Sequence, residues 1–133
     1  QETGFNVPKS EIPFFRYFYV AETEEQAIRD TEERLNWVAD IMQWRRFIPE
    51  GSEVNLRMDD WRRTRSELPA TYEYLAKNRA IIGNPDQCAA QIQELRDQGI
   101  EYFGCNFDFG GMSHDKVLKS MDLFSKEIMP RFT

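Results

Sequence analysis

The pattern of apolar and polar positions in the C-terminal half of the chain predicts a helix followed by a buried strand. Asn84 can accept hydrogen bonds from the first free amides of a helix, and Gln87 lies where a capping-box side chain reaches back. Apolar residues then recur at helical spacing, so the helix is predicted over 85–98 and ends before Gly99. The nearly continuous apolar run over 100–107 is typical of a strand covered by helices on both faces, as in a parallel sheet.

A second strand and helix are predicted near the N-terminus. Residues 13–21 are rich in aromatic and β-branched side chains, which favours a strand. Residues 23–26 form a capping box, and helical periodicity continues to about Trp44. Arg16 is unusual, because a charge in a buried strand needs either a carboxylate partner or a ligand. Both interpretations of Arg16 stay open.

The remaining regular elements are shorter or lie at the C-terminus. A short helix is predicted over 69–78 and a brief strand over 80–82. Ser113 is positioned to cap a last helix with an apolar stripe that Pro130 ends. The only histidine, His114, lies in the first turn of that helix, where an exposed side chain is the main interpretation and a ligand-facing group the alternative.

Residues 45–68 break the periodic pattern and indicate an irregular insertion or lid. Arginines and aromatic residues concentrate here and could form an anion-binding surface. Acidic residues are interleaved with them, so salt bridges on a solvent-exposed face are the competing interpretation. The arginines and aromatics are Arg45, Arg46, Arg57, Arg62, Arg63, Arg65, Trp44, Phe47 and Trp61.

Composition places the chain among globular proteins. Its 133 residues are 41% hydrophobic and 14% aromatic, so we expect one compact unit over 1–133. The net charge of -6 disfavours nucleic acid as a partner. Since no apolar run is long enough to span a bilayer and no signal peptide is evident, we expect a cytoplasmic protein without membrane contact. Cys88 and Cys105 lie inside predicted elements, as core cysteines do.

The familiar motifs of metal and hydrolytic sites are missing from the sequence. It contains no paired-cysteine motif, Walker loop, GxSxG elbow or HExxH. No metal ligand and no catalytic side chain can therefore be assigned. Any catalysis would depend on a bound organic cofactor, for which the protein supplies binding, orientation and electrostatics.

The C-terminal 50 or so residues contain several separate sequence signatures. These are Ile82-Gly83-Asn84-Pro85-Asp86-Gln87, Gly99-Ile100, Phe109-Gly110-Gly111-Met112, Leu118, Ser120, Leu123-Phe124, Glu127 and Ile128-Met129-Pro130. In order and spacing they resemble the C-terminal part of the bacterial luciferase-like flavin monooxygenases. The strand and capped helix around 16–27 are also similar to a later strand and helix of that family.

The resemblance implies an α/β fold, the C-terminal part of a (β/α)8 TIM barrel. It also implies reduced FMN, or a deazaflavin in some branches, reacting with O2 and a small organic substrate, with a flavin reductase as a candidate partner. Because such a barrel needs about 200 residues or more, the chain would supply only its last third. We therefore expect it to be inactive alone, and to form a homodimer or associate with the missing part of the barrel.

The same resemblance and its topology indicate where ligands would bind. Residues after the last strand would lie at the catalytic mouth, and part of the irregular segment is positioned like the family's mobile lid. The predicted cofactor-binding residues are Arg16, Asn106, Asp108, Phe109, Gly110 and Gly111. The predicted substrate or lid residues are Arg57, Trp61 and Arg62.

Three functions are compatible with these observations. The first is a fragment of a flavin-dependent monooxygenase. The second is a freestanding, non-catalytic module that dimerises through its strand edges. The third is a flavin- or deazaflavin-dependent reductase on the same fold, since hydride transfer and oxygenation share a scaffold.

Overall fold

A computed structural model describes residues 7–44 and 71–133 of the chain, and the predicted insertion over 45–68 lies outside this part. The described ranges contain three strands and four α-helices. In chain order these are β1 (Phe14–Val20), α1 (Glu24–Trp44), α2 (Tyr72–Asn78), β2 (Ala80–Gly83), α3 (Pro85–Asp97), β3 (Phe103–Asn106) and α4 (His114–Leu123). A π-helical segment, Phe124–Ile128, and 3-10 turns at Lys9–Glu11 and Met129–Arg131 complete the described elements.

The three strands form one parallel sheet with the order β2-β1-β3. β1 lies in the centre, and its two neighbours pair with different halves of it. β2 pairs with the carboxyl half, from Tyr17 to Val20, whereas β3 pairs with the amino half, from Phe14 to Tyr17. The predicted α/β fold is confirmed, and a parallel sheet with flanking helices is consistent with part of a (β/α)8 barrel. The strand order differs from the sequential order of a closed barrel.

Helices cover both faces of this sheet. One hydrophobic cluster joins Tyr19 and Ala80 to α1 and α2, and the other joins Phe18 and Ile81 to α3 and the C-terminal segment. The crossover from β1 to β2 and the crossover from β2 to β3 run in opposite directions across the sheet. Since their helices lie on opposite faces, the two crossovers have the same hand, as parallel connections almost always do.

β3 is shorter than the predicted strand over 100–107. The pairing with β1 begins only at Phe14, opposite Phe103. At the other end Phe107 leaves the sheet, and its ring packs 5.2 Å from that of Phe18 and 5.6 Å from that of Phe124. β3 is half-buried because its outer edge has no strand partner among the described residues. The expectation of a strand covered on both faces is therefore met only in part.

The predicted capping chemistry of α3 is confirmed. The Asn84 side chain accepts a hydrogen bond from the backbone N–H of Gln87 at 2.9 Å, and the Gln87 side chain accepts one from the backbone N–H of Asn84 at 3.0 Å. Ser113 occupies the equivalent position before α4, but its side chain makes no cap hydrogen bond. The C-terminal segment also continues through Pro130 as a 3-10 turn instead of ending there.

A buried hydroxyl replaces strand pairing along part of β1. The backbone N–H of Val20 points to the β3 side, but β3 has already ended opposite Tyr17. The fully buried Ser120 of α4 accepts a hydrogen bond from this N–H at 2.8 Å. Because an unpaired buried amide is costly, this contact holds α4 against the open half of β1.

One carboxylate links β1, α1 and α4. Asp30 accepts hydrogen bonds from the hydroxyl of Tyr19 at 3.0 Å and from the ammonium of Lys116 at 2.6 Å. Burial alone would raise the pKa of Asp30, but the hydrogen bonds from Lys116 and Tyr19 outweigh it and lower that pKa. Burial and the neighbouring Asp30 raise the pKa of Tyr19, so its phenol stays protonated.

Within residues 7–44 and 71–133, none of the helices combines the length and the apolar character that crossing a membrane requires.

Replacing Asn84 with alanine should lower the free energy of unfolding by about 0.5–2 kcal/mol, because the first turn of α3 loses its capping acceptor. Ser113→Ala is the matched control, since Ser113 has the same position but no cap hydrogen bond. Urea unfolding followed by circular dichroism measures both. Equal losses in the two variants would show that the Asn84 cap contributes nothing specific.

Acid should destabilise the fold partly through Asp30. Its folded pKa lies below the ordinary 3.8, so below that value the folded state binds fewer protons than the unfolded state. The stabilisation is complete above pH 3.8 and is lost as the pH falls through the folded pKa. Asp30→Asn should reduce this acid dependence of the unfolding free energy, whereas Asp40→Asn, at an exposed position of α1, should keep it. An unchanged dependence in Asp30→Asn would contradict the assignment.

Candidate functional site

The offset pairing of the strands brings two of the predicted cofactor-binding residues together. β3 ends at Asn106, which pairs with Tyr17, the residue after Arg16 in β1. Both residues line one groove of about 280 Å³. The groove is lined by Phe15, Arg16, Tyr17, Met42, Arg79 and Asn106. We call it the arginine groove.

Arg16 has no carboxylate partner within the described ranges. Its guanidinium lies 4.0 Å from the centre of the Phe14 ring and donates a hydrogen bond to the backbone carbonyl of Phe15 at 3.2 Å. Burial, and then the positive charge of Arg79, lower the pKa of Arg16. Of the two interpretations of Arg16, a carboxylate partner finds no support in residues 7–44 and 71–133, and a ligand stays open.

Arg79 is the site residue that sequence reasoning missed. It is exposed and lies between α2 and β2, where its carbonyl accepts a hydrogen bond from the N–H of Tyr17 at 3.0 Å. That bond fixes Arg79 beside Arg16. Two guanidinium groups at close range repel each other, and an anion between them would relieve the repulsion. A basic residue directly before a predicted strand was the only available signal, and it is a weak one.

Exposed aromatic surface adjoins this pair of cations. The Phe15 side chain is 58% exposed, and its ring lies over Gly104 of β3. A side chain at position 104 would overlap the Phe15 ring, so Gly104 leaves room for it. A planar ligand could stack on an exposed ring of this kind, which would place its anionic group near Arg16 and Arg79.

The predicted residues after β3 are divided between the surface and the core. Asp108 is exposed, whereas Phe109 is buried, with its ring centre 5.2 Å from that of Tyr17. Phe109 therefore packs against Tyr17, one of the residues that line the arginine groove. Whether these residues bind a cofactor stays a prediction. The lid residues Arg57, Trp61 and Arg62 lie outside the described residues.

The two adjacent glycines have different surroundings. Gly110 has a φ of +60° and lies against the backbone of Arg34 in α1, so an added Cβ would overlap the Arg34 carbonyl. Gly111 has a φ of +67° but is exposed, and the nearest atom to an added Cβ is a guanidinium nitrogen of Arg34 at 4.0 Å. Close packing of the loop on α1 thus already requires the glycine at 110.

Other polar candidates take structural roles. His114 is exposed in the first turn of α4, as its main interpretation predicted. Both cysteines are free thiols; Cys88 is buried and Cys105 is half-buried. Burial raises the pKa of each thiol to about 12, so neither is a thiolate near neutral pH.

Comparison with solved structures places this geometry in a known fold, although no family model matches the chain. It resembles monooxygenase RslO1 from Streptomyces bottropensis, with a TM-score of 0.61 and 18% identity over 98% of this chain and 33% of that one. It also resembles the oxygenating constituent of 3,6-diketocamphane monooxygenase from Pseudomonas putida, a type II Baeyer-Villiger monooxygenase in complex with FMN. That match has a TM-score of 0.65 and 22% identity over 99% of this chain and 36% of that one.

A third solved structure has a different activity. Coenzyme F420 dependent tetrahydromethanopterin reductase from Methanopyrus kandleri matches with a TM-score of 0.53 and 20% identity over 91% of this chain and 35% of that one. The chain thus spans about a third of the length of each neighbour. These matches show that the chain shares its fold with two monooxygenases and a reductase.

Gly110→Ala should lower the free energy of unfolding by more than about 2 kcal/mol, since a left-handed backbone and a clash with Arg34 act together. Gly111→Ala tests the left-handed backbone without the clash and should lower the free energy of unfolding by about 1 kcal/mol. Urea unfolding of both variants measures the difference. Equal costs would mean that the contact between position 110 and α1 does not constrain the loop.

Proposed function

We propose that the chain is part of a flavin-dependent monooxygenase, an oxidoreductase that uses reduced FMN and O2 on a small organic substrate. The observation that carries this proposal is the fold, which two monooxygenases share over nearly all of this chain. The bound flavin would supply the reaction with dioxygen. The residues of this chain would bind and orient the cofactor.

The arginine groove is the proposed contact with the cofactor. FMN and deazaflavin cofactors both join a planar ring system to a phosphate group. Arg16 and Arg79 offer two guanidinium groups for the phosphate, and the exposed Asn106 adds an amide donor. The exposed ring of Phe15 offers a stacking surface. This combination supports an anionic, partly aromatic ligand.

The other predicted site residues are given only a general location in the proposed site. Asp108, Phe109, Gly110 and Gly111 follow β3 directly, and Phe109 touches Tyr17 of the groove. We propose that this loop positions the groove, with the exposed Asp108 available to a ligand. Arg57, Trp61 and Arg62 are proposed as substrate or lid residues because of their place in the sequence.

Partner strands are part of the proposal as well. Within the described part of the chain, β2 and β3 each keep one edge without a strand. Unpaired parallel strands favour association with further strands. The matched structures are about three times as long, so we propose that the rest of a barrel covers these edges, with a second copy of the chain as the alternative. The isolated chain would then have little or no activity.

A reductase is the second candidate function. One of the matched structures is an F420-dependent reductase, and the arginine groove would suit the phosphate of a deazaflavin cofactor as well as that of FMN. The two candidates differ in the reactivity of the reduced cofactor with O2, which a monooxygenase uses and a reductase of this kind does not need.

The test is a titration of FMN and of F420 into the native polypeptide that carries this sequence, followed by flavin or deazaflavin fluorescence. Arg16→Gln and Arg79→Gln should each weaken binding about ten- to hundredfold, because each removes a charge-assisted hydrogen bond. Arg96→Gln, on α3 and outside the groove, is the control and should leave the affinity unchanged.

Three outcomes separate the possibilities. Tighter binding of FMN, with rapid reoxidation of its reduced form by O2, would support the monooxygenase. Tighter binding of F420 would favour the reductase. Unchanged affinity in Arg16→Gln and Arg79→Gln, together with lowered stability, would show that the two arginines are structural and would overturn the proposed cofactor site.

A further inference from the structure

A second cleft lies at the carboxyl end of β1, separate from the arginine groove. It has a volume of about 740 Å³ and shares no lining residue with the groove. Its floor is formed by residues 19–21 at the end of β1, and its walls by the first turns of α1 and by α4. A cleft of this size is in the range of small-molecule sites.

Topology favours a ligand at this position. The crossover from β1 to β2 and the crossover from β2 to β3 run in opposite directions across the sheet. β3 ends before it reaches the carboxyl half of β1. In open parallel sheets, ligands bind outside the carboxyl ends of the strands where the crossovers diverge. The cleft lies at the carboxyl end of β1, beside the part of that strand that β3 leaves unpaired.

Ser120 gives the cleft an unused hydrogen-bond donor. The residue is 1% exposed and lines the cleft, and its hydroxyl oxygen accepts a hydrogen bond from Val20 N–H at 2.8 Å. No acceptor for the hydroxyl hydrogen of Ser120 occurs in residues 7–44 and 71–133. A buried donor without an acceptor is unfavourable, so an acceptor atom of a ligand would stabilise it.

The charges of the cleft favour an anion. Two of its carboxylates are already paired, Asp30 with Lys116 at 2.6 Å and Asp122 with Lys126 at 2.7 Å. The lining charges that remain are the cations of Arg29 and Lys119 and the carboxylate of Glu22. The lining holds three cations and three carboxylates, but Asp122 is paired with Lys126 from outside the lining, and neither Arg29 nor Lys119 has a carboxylate partner among the described residues.

We infer that the cleft between α1 and α4 binds a small molecule with a carboxylate or phosphate group, held by Arg29, Lys119 and the Ser120 hydroxyl. This inference is independent of the proposed cofactor site. Leu118 and Leu123 provide apolar wall for the body of such a ligand. The cleft would therefore select a short organic anion over an inorganic ion of equal charge.

The test is an amide NMR titration of the native polypeptide with acetate, butyrate and inorganic phosphate at constant ionic strength. We expect saturable shifts at residues 20–22 and 116–120, with butyrate binding more tightly than acetate. The double variant Arg29→Gln/Lys119→Gln should weaken this binding at least tenfold. The control Lys9→Gln/Arg96→Gln removes the same charge outside the cleft and should bind as the unchanged protein does.

Each result decides the inference. Shifts that grow linearly without saturation, that spread over exposed lysines in general, or that are equal in the double variant and its control would overturn it. Saturable binding of butyrate without binding of inorganic phosphate would assign the cleft to organic carboxylates, whereas saturable binding of inorganic phosphate alone would contradict the expected selection of an organic anion. Shifts confined to residues 16–17 and 106 would report the arginine groove instead, so failure here is distinguishable from failure of the cofactor proposal.

Discussion

The division of β1 between two partners determines the rest of the structure. β2 takes its carboxyl half and β3 its amino half, so neither neighbour covers the whole strand. Where β3 pairs with β1, Asn106 lies opposite Tyr17 and lines the arginine groove with Arg16. Beyond the end of β3, the N–H of Val20 donates to the hydroxyl of Ser120. Both candidate sites are thus consequences of one offset in strand pairing.

Local chemistry could be predicted from the sequence, and long-range pairing could not. The cap at Asn84 and the end of α3 before Gly99 depend on residues within a few positions, and both were predicted correctly. The length of β3 depends on its pairing with Phe14–Tyr17 of β1, which are remote from it in sequence. Strand order and register arise from such distant contacts, and periodicity does not encode them.

In the candidate site, too, a local sequence signal identified one residue, and the other could be identified only from the folded structure. Arg16 stood out because a charged residue interrupts an apolar strand, and that signal is local. Arg79 is exposed after a short helix, where a solvated arginine is ordinary, and its importance depends on the hydrogen bond between its carbonyl and Tyr17. The fold comparison shows that monooxygenases and a reductase share this scaffold, and the ligand of these cations stays a proposal.

The two protonated thiols have a practical consequence for experiments on this protein. With pKa values near 12, Cys88 and Cys105 are poor nucleophiles at neutral pH, and burial limits the access of reagents. A single cysteine introduced at an exposed position could therefore be coupled selectively to a spin label or fluorophore in the natural background. With one such cysteine on α1 and a second on α4, the distance between the two labels would report directly whether the cleft between these helices widens or narrows in solution.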